Sequence, residues 1–201
     1  MKRMHAGMGA VLLGLALQGC SHFGGMSEGW TTLFDGKDLG QFNRVGDANW
    51  SLADGIMSAD RGTGFLVTKE EYGDFEIRAE FYAEPDTNSG IFIRCSDPVD
   101  LTSKLCYEVN IWDKRPAPEY GTGAIVDVAK VSPMPKAGGK WNTYVITAKG
   151  DHMVVVLNGV KTADAHDSKH ARGLIGLQKA PGVDKDGKYP IRFRKVEIRR
   201  L

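Results

Sequence analysis

Phe75-Glu76-Ile77-Arg78-Ala79-Glu80-Phe81 decides the fold class. Apolar residues stand at every second position with charges between them, so an extended chain here has one buried and one wet face. A helix would instead repeat its apolar positions at spacings of three and four. Outward from this stretch, Tyr144-Val145-Ile146-Thr147-Ala148 and Met153-Val154-Val155-Val156-Leu157 read as further strands on either side of Lys149-Gly150-Asp151. Asn158-Gly159 follows at once. Both residues accept the positive φ of a type I′ turn, so a hairpin is predicted there. Ile191-Arg192-Phe193-Arg194-Lys195-Val196-Glu197-Ile198 closes the chain as another strand. Beyond residue 30 no helical stripe lasts three turns, and only 165–172 is expected to form a short helical turn. About a dozen short strands cut by Gly, Asp and Asn predict an all-β sandwich of two antiparallel sheets.

The 201 residues are 42% hydrophobic and 25% charged, enough apolar matter for the core of one domain. This composition excludes long disorder, a collagen repeat and a coiled coil. Twenty-six basic residues stand against 25 acidic ones, so the chain has no field to attract nucleic acid, which is not expected as a partner. No linker or repeat divides 30–201, which reads as a single domain.

The N-terminus reads as an address. Lys2 and Arg3 precede the apolar run Ala10-Val11-Leu12-Leu13-Gly14-Leu15-Ala16-Leu17, which is too short for a permanent membrane span and suits a secretory signal. Leu17-Gln18-Gly19-Cys20 resembles the lipobox of bacterial lipoproteins. That resemblance implies a signal peptide over 1–19, lipidation of Cys20 and a polar tether over 20–29. With Ser21 after the cysteine, it also implies an outer-membrane anchor facing the periplasm. Losing Lys2 and Arg3 leaves 24 basic against 25 acidic residues, a formal charge of −1, so attachment would be driven by acyl chains rather than by charge.

A family resemblance runs through the domain. The stretches that carry it are Trp30-Thr31-Thr32-Leu33-Phe34-Asp35-Gly36-Lys37-Asp38-Leu39, Asp74-Phe75-Glu76, Asn88-Ser89-Gly90-Ile91-Phe92-Ile93-Arg94 and Tyr107-Glu108-Val109-Asn110-Ile111-Trp112-Asp113. Trp141-Asn142-Thr143, Asn158-Gly159 and Gly173-Leu174-Ile175-Gly176-Leu177-Gln178 complete it. In order and spacing the chain resembles the 3-keto-disaccharide hydrolases, also described as 3-keto-glucoside lyase/hydratases. The resemblance implies a concanavalin-like jelly roll acting on a 3-keto sugar, with a separate sugar 3-oxidoreductase upstream and no redox cofactor in this chain. A divalent ion held by carboxylates stays open, since scattered Asp residues leave no signature. The chain also departs from the family. Lys179-Ala180-Pro181-Gly182 stands where relatives commonly place His-Gly, Asn110-Ile111-Trp112-Asp113 replaces Gln-Ile-Leu-Asp, and Val126 replaces a Tyr. No role for that His is transferable.

If the strands ending at Arg94 and beginning at Tyr107 pair with Arg94 opposite Glu108, then Phe92 faces Asn110, and Arg94, Glu108, Asn110 and Trp112 share a face. A carboxylate, a guanidinium, an amide and an indole suit a sugar, the indole stacking on a pyranose face. The same residues also make an ordinary cross-strand ion pair beside a core Trp. The implied chemistry is removal of the C2 hydrogen next to the C3 ketone, expulsion of the C1 substituent and addition of water. It assigns Glu108 as base, Arg94 as enolate stabiliser or clamp, and Asp113 as acid provided that it lies at the strand end. Asn88, Asn110, Trp112 and Gln178 would bind the sugar. The alternative is a lipid-anchored carbohydrate-binding module without turnover.

Cys95 and Cys106 bracket the loop 96–105, and an exported compartment permits their disulfide. Direct pairing of the two shifts the register by one residue and puts Glu108 on the face opposite Arg94, so the two readings compete unless a bulge shifts the register or a Cys lies beyond the regular ladder. His166 and His170, four apart, could share a helical face as metal ligands, but the polar segment reads better as a solvated loop. Trp30, Trp50 and Trp141 are expected in the core.

Overall fold

The computed structural model describes residue 1 and residues 29–182 and 188–201. The expected signal peptide, the Cys20 lipidation site and nearly all of the 20–29 tether lie outside the described residues. In chain order the strands are β1 (Thr31–Phe34), β2 (Phe42–Gly46), β3 (Ser51–Ala53), β4 (Ile56–Ala59), β5 (Gly64–Thr68), β6 (Phe75–Ala83) and β7 (Ser89–Cys95). They continue with β8 (Tyr107–Ile111), β9 (Lys140–Lys149), β10 (His152–Leu157), β11 (Val160–His166), β12 (Leu174–Lys179) and β13 (Ile191–Arg200). A 3₁₀ turn at Pro118–Tyr120 is the helical element among the described residues. The helical turn expected over 165–172 is absent. Ala165 and His166 end β11, and Asp167 caps the bend that follows by accepting from Lys169 N at 2.8 Å.

Two antiparallel sheets face each other. The eight-stranded sheet runs β11-β10-β9-β6-β13-β4-β3, with β1 on the far half of β13, and the five-stranded sheet runs β2-β5-β12-β7-β8. This is a jelly-roll sandwich. The opening stretch behaves as its alternation requires: Phe75, Ile77, Ala79, Phe81 and Ala83 of β6 point into the core, and Glu76, Arg78, Glu80 and Tyr82 point out. Burying each large apolar side chain contributes about 1.5–3 kcal/mol, so this inward face fixes the register of the sheet. The Asn158-Gly159 hairpin forms with both φ values positive, 50° and 82°.

The five-stranded sheet differs because β7 and β8 are buried on both faces. Ile91, Ile93, Tyr107, Val109 and Ile111 pack inward. Outward, Phe65, Val67, Phe92, Cys95 and Cys106 gather under Leu101 of the 96–105 loop as a second, smaller core. Of the three tryptophans expected inside, only Trp50 is in the core. Trp30 and Trp141 lie half-buried on the outer face of the large sheet, where arginine planes cover them: Arg78 over Trp30 at 4.2 Å and Arg194 over Trp141 at 4.5 Å. Stacked guanidinium stems shield an aromatic ring without taking it into the interior.

Candidate functional site

Neither register expected for β7 and β8 is the one found. Phe92 lies opposite Glu108, Ile91 opposite Val109 and Gly90 opposite Asn110, one step away from pairing Cys95 with Cys106 and two from pairing Arg94 with Glu108. Regular pairing ends at Ile93 and Tyr107, where Arg94 takes φ 53°. This residue is inserted as a bulge, so alternation restarts after it and Cys95 lies across from Cys106 with Cα atoms 4.2 Å apart, joined as a disulfide. Ser96 N then donates to Leu105 O at 3.0 Å, which continues the shifted pairing.

The bulge also turns Arg94 inward, away from Glu108. Its guanidinium is fully buried at one end of the sandwich, where it donates to Gly73 O at 3.0 Å, Gly150 O at 2.7 Å, His170 O at 3.2 Å and Asp74 Oδ1 at 3.1 Å. Burial pulls its pKa down, Asp74 and Tyr107 oppose this, and a guanidinium keeps its proton regardless. The face expected to unite Arg94 with Glu108, Asn110 and Trp112 therefore loses Arg94 and keeps Glu108 and Asn110.

Glu108 and Asn110 point to the outer face of the five-stranded sheet. Leu177 pairs with Ile91 and Gly90 with Asn110, so Gln178 of β12, Gly90 of β7 and Asn110 of β8 form one transverse row, with Gly176, Phe92 and Glu108 in the next. Gly90 leaves the room that Glu108 uses: a Cβ there would stand 3.4 Å from Glu108 Cγ and 3.5 Å from Oε1. Glu108 is 9% exposed, and burial raises its pKa to about 7. Arg115 opposes that rise and Asp127 adds to it. Sequence reasoning missed both. They come from the loops after β8, and the one local hint of Arg115 is its position three residues past Trp112, whose ring lies 6.0 Å from its guanidinium carbon.

Asn110 Oδ1, Trp112 Nε1 and Gln178 Oε1 are buried without a hydrogen-bond partner among the described residues. Leaving such an atom unpaired costs about 1–3 kcal/mol, so three of them on β8, β12 and the residue just past β8 suit a polar ligand. Their backbone is firmly held. Tyr144 of the opposite sheet donates to Asn110 O at 2.6 Å, Asn110 Nδ2 donates to Tyr120 O at 2.6 Å, and Trp112 N donates to Thr122 Oγ1 at 2.9 Å.

The remaining expected residues are engaged differently. Asp113 lies two residues past the end of β8, but Thr122 Oγ1 donates to its Oδ1 at 2.6 Å, and Ala137 N and Gly138 N donate to its Oδ2 at 2.9 and 2.8 Å. This carboxylate holds a turn together. Asn88 Nδ2 donates to Pro181 O at 2.7 Å and anchors the chain leaving β12. His166 and His170 share no site: His166 stacks on His152 with ring centres 4.4 Å apart and bonds Asp151, whereas His170 packs edge-on against Tyr107.

Solved structures place this arrangement in a class. A candidate glycosyl hydrolase from Parabacteroides distasonis ATCC 8503 superposes with a TM-score of 0.71 at 28% identity, over 86% of this chain and 99% of its own. A second from the same organism gives 0.71 at 19% identity, covering 87% and 94%. The carbohydrate-binding module CBM66 from Bacillus subtilis gives 0.57 at 18%, covering 85% and 95%, a likeness of fold alone. The fold is thus a concanavalin-like sandwich of the carbohydrate-active, hydrolase-like kind. Within that class, residues 29–199 match the sequence model of the 3-keto-alpha-glucoside-1,2-lyase-like domain, and the chain belongs to that family. Among curated proteins none matches the chain.

Proposed function

We propose that the chain cleaves 3-keto-glycosides at the Glu108 face by elimination followed by hydration. The observation that carries this reading is the Glu108 carboxyl, raised to about 7 by burial and set beside Gly90 among three unpartnered polar atoms. Near neutral pH such a group is basic enough to take a proton from carbon α to a ketone and acidic enough to return it. Glu108 removes the C2 hydrogen and the electrons of that bond form an enolate. The enolate re-forms the C3 ketone as the C1–O bond breaks, leaving a C1=C2 double bond. Glu108, now protonated, passes its proton to the leaving oxygen, so the scheme does not need Asp113. Water then adds its hydroxyl at C1 and its hydrogen at C2, and the net result is hydrolysis. Arg115 replaces Arg94 as the cation available to the enolate, and Asn110, Trp112 and Gln178 meet hydroxyls. The substrate's ketone would come from a separate sugar 3-oxidoreductase, and Cys20 would tether the enzyme to the outer membrane, facing the periplasm.

One observation favours the non-catalytic alternative, a lipid-anchored carbohydrate-binding module: the second expected acid, Asp113, is occupied by three donors. The full chain, incubated with a 3-keto-disaccharide and with its unoxidised parent, separates the two. Release of free sugar from the keto form alone, with transient enone absorbance, is expected for the enzyme. Saturable binding without release from either would establish the module. The anchor is checked by labelling with a fatty acid, which Cys20→Ser should abolish.

A further inference from the structure

A polar cavity of about 330 Å³ opens on the sheet opposite the one that carries Glu108, at one end of the outer face of the eight-stranded sheet. Its lining takes Ser51, Ser58 and Arg192 from a single transverse row of the sheet, which continues beyond the cavity. Ser51 lies opposite Ser58, Ser58 opposite Arg192, Arg192 opposite Tyr82, and Tyr82 opposite Trp141. The Arg192 guanidinium carbon lies 4.9 Å from the Tyr82 ring centre, and the rings of Tyr82 and Trp141 meet edge to face at 6.0 Å. The row therefore passes from hydroxyls to a cation stacked on Tyr82, with Trp141, itself covered by Arg194, behind it. Hydroxyls beside a cation are groups that an anionic sugar requires.

The charges decide what kind of sugar. Arg61, Lys188 and Arg192 line the cavity against one carboxylate, Asp60. That carboxylate is already spoken for: Asn49 Nδ2 donates to its Oδ1 at 2.7 Å, Arg61 Nε stands 3.4 Å from the same oxygen, and these partners hold its pKa below the usual range. Asn49 Oδ1 in turn accepts from the backbone N–H groups of Asp60 and Arg61 at 3.0 and 2.9 Å, so the corner is built rather than draped. From beneath, the buried Lys179 also acts on Asp60. Arg192 and Lys188 thus make no ion pair among the described residues, although Lys188 is near enough to Asp60 to help lower its pKa.

We propose that this face is a second glycan-binding site, selective for carboxylated sugars, in which Arg192 and Lys188 meet the carboxylate and Ser51 and Ser58 meet hydroxyls, with Arg192 linking the cavity to the Tyr82–Trp141 ring pair. It stands on the sheet opposite the Glu108 face and does not depend on the reaction proposed there.

The test is calorimetric titration of the full chain with trigalacturonate, maltotriose and inorganic phosphate, alongside the indole N–H resonance of Trp141 in NMR. Trigalacturonate should bind at least about tenfold tighter than maltotriose, lose affinity as salt rises and shift the Trp141 signal. R192Q should weaken it about fivefold or more, and K188Q, at an exposed position that cannot upset folding, should weaken it by a smaller factor. E108Q should leave it unchanged. Equal binding of maltotriose, phosphate binding as tight as trigalacturonate, an unmoved Trp141 signal, or loss of binding in E108Q but not in R192Q and K188Q would each overturn the assignment.

Discussion

β7 and β8 carry two buried ionisable groups with opposite circumstances. Arg94 turns inward from its bulge and spends its donors on three carbonyls and Asp74. Glu108 turns outward onto a face where Asn110, Trp112 and Gln178 keep polar atoms without partners among the described residues. A buried charge whose hydrogen bonds are all made by its own chain holds the fold together, because removing it strands several acceptors at once. A buried acid raised toward neutrality and set among unpaired atoms is a burden on the fold, and it makes sense as preparation for a ligand. The contrast gives Arg94 an architectural role and, on the function proposed above, leaves the chemistry to Glu108, although both lie in the stretches that carry the family resemblance.

The largest effect that would break this contrast is on turnover. Glu108→Gln keeps shape and loses the base, so it should cost about 10²–10⁴-fold in kcat toward a 3-keto-disaccharide while the protein folds normally. In the unmodified enzyme kcat/KM should rise with pH through about 7, the value to which burial brings Glu108. A variant that keeps full activity would remove Glu108 from the base role. Arg94→Met should behave the other way, losing about 3–5 kcal/mol of stability in urea unfolding while the folded fraction keeps its kcat. If instead Arg94→Met stays stable but loses turnover, the assignment of the two residues is reversed.

A smaller effect sharpens the boundary between the two regions. Cys95 and Cys106 close a short loop whose Leu101 covers the apolar half of the outer face. The double variant Cys95→Ser, Cys106→Ser should lose about 3 kcal/mol, as expected when a loop of this length is released. Because the loop covers Phe92 and not Gly90, KM should change less than stability. A large rise in KM with little loss of stability would mean that the loop belongs to the site.

The sandwich was legible because burial enforces period two on a strand, as in Phe75–Phe81, and because Asn158-Gly159 suits few conformations other than its turn. The register beside the site was not. A single inserted residue reverses which face every later side chain meets, and Arg94 at φ 53° carries no mark of it, since positive φ is ordinarily supplied by glycine. That insertion lets the disulfide form beside an outward Glu108 but turns Arg94 away from it, so of the two competing readings only the disulfide is realised. Arg115 and Asp127 were hidden for a different reason. Loops bring them to the site, and loop positions follow no period that a sequence displays. Trp30 and Trp141 misled because an aromatic residue in a strand reads as core, whereas arginine stacking can cover one at the surface.

The subtlest prediction concerns stability against pH, and it asks whether Glu108 is a burden in the way argued above. In the unfolded chain its carboxyl loses its proton near the usual 4.5; in the folded chain it does so at about 7. Between those values the folded state holds a proton that the unfolded state has released. Stability from this group is therefore fully present below pH 4.5, falls as pH rises through the window and levels off above 7. A gap of this size corresponds to about 2–3 kcal/mol after allowance for partial solvation. Glu108→Gln has no proton to lose. The difference in urea midpoint between variant and parent should therefore move in the variant's favour from pH 4.5 to pH 7 and stay constant beyond, with titrations elsewhere in the molecule cancelling in the subtraction. A difference that is flat across the whole range would mean that Glu108 ionises as it does in water, and would place it outside the set of groups strained for a ligand. The same curve for Arg94→Met should be lower than the parent at every pH, because the hydrogen bonds it removes do not titrate in this window.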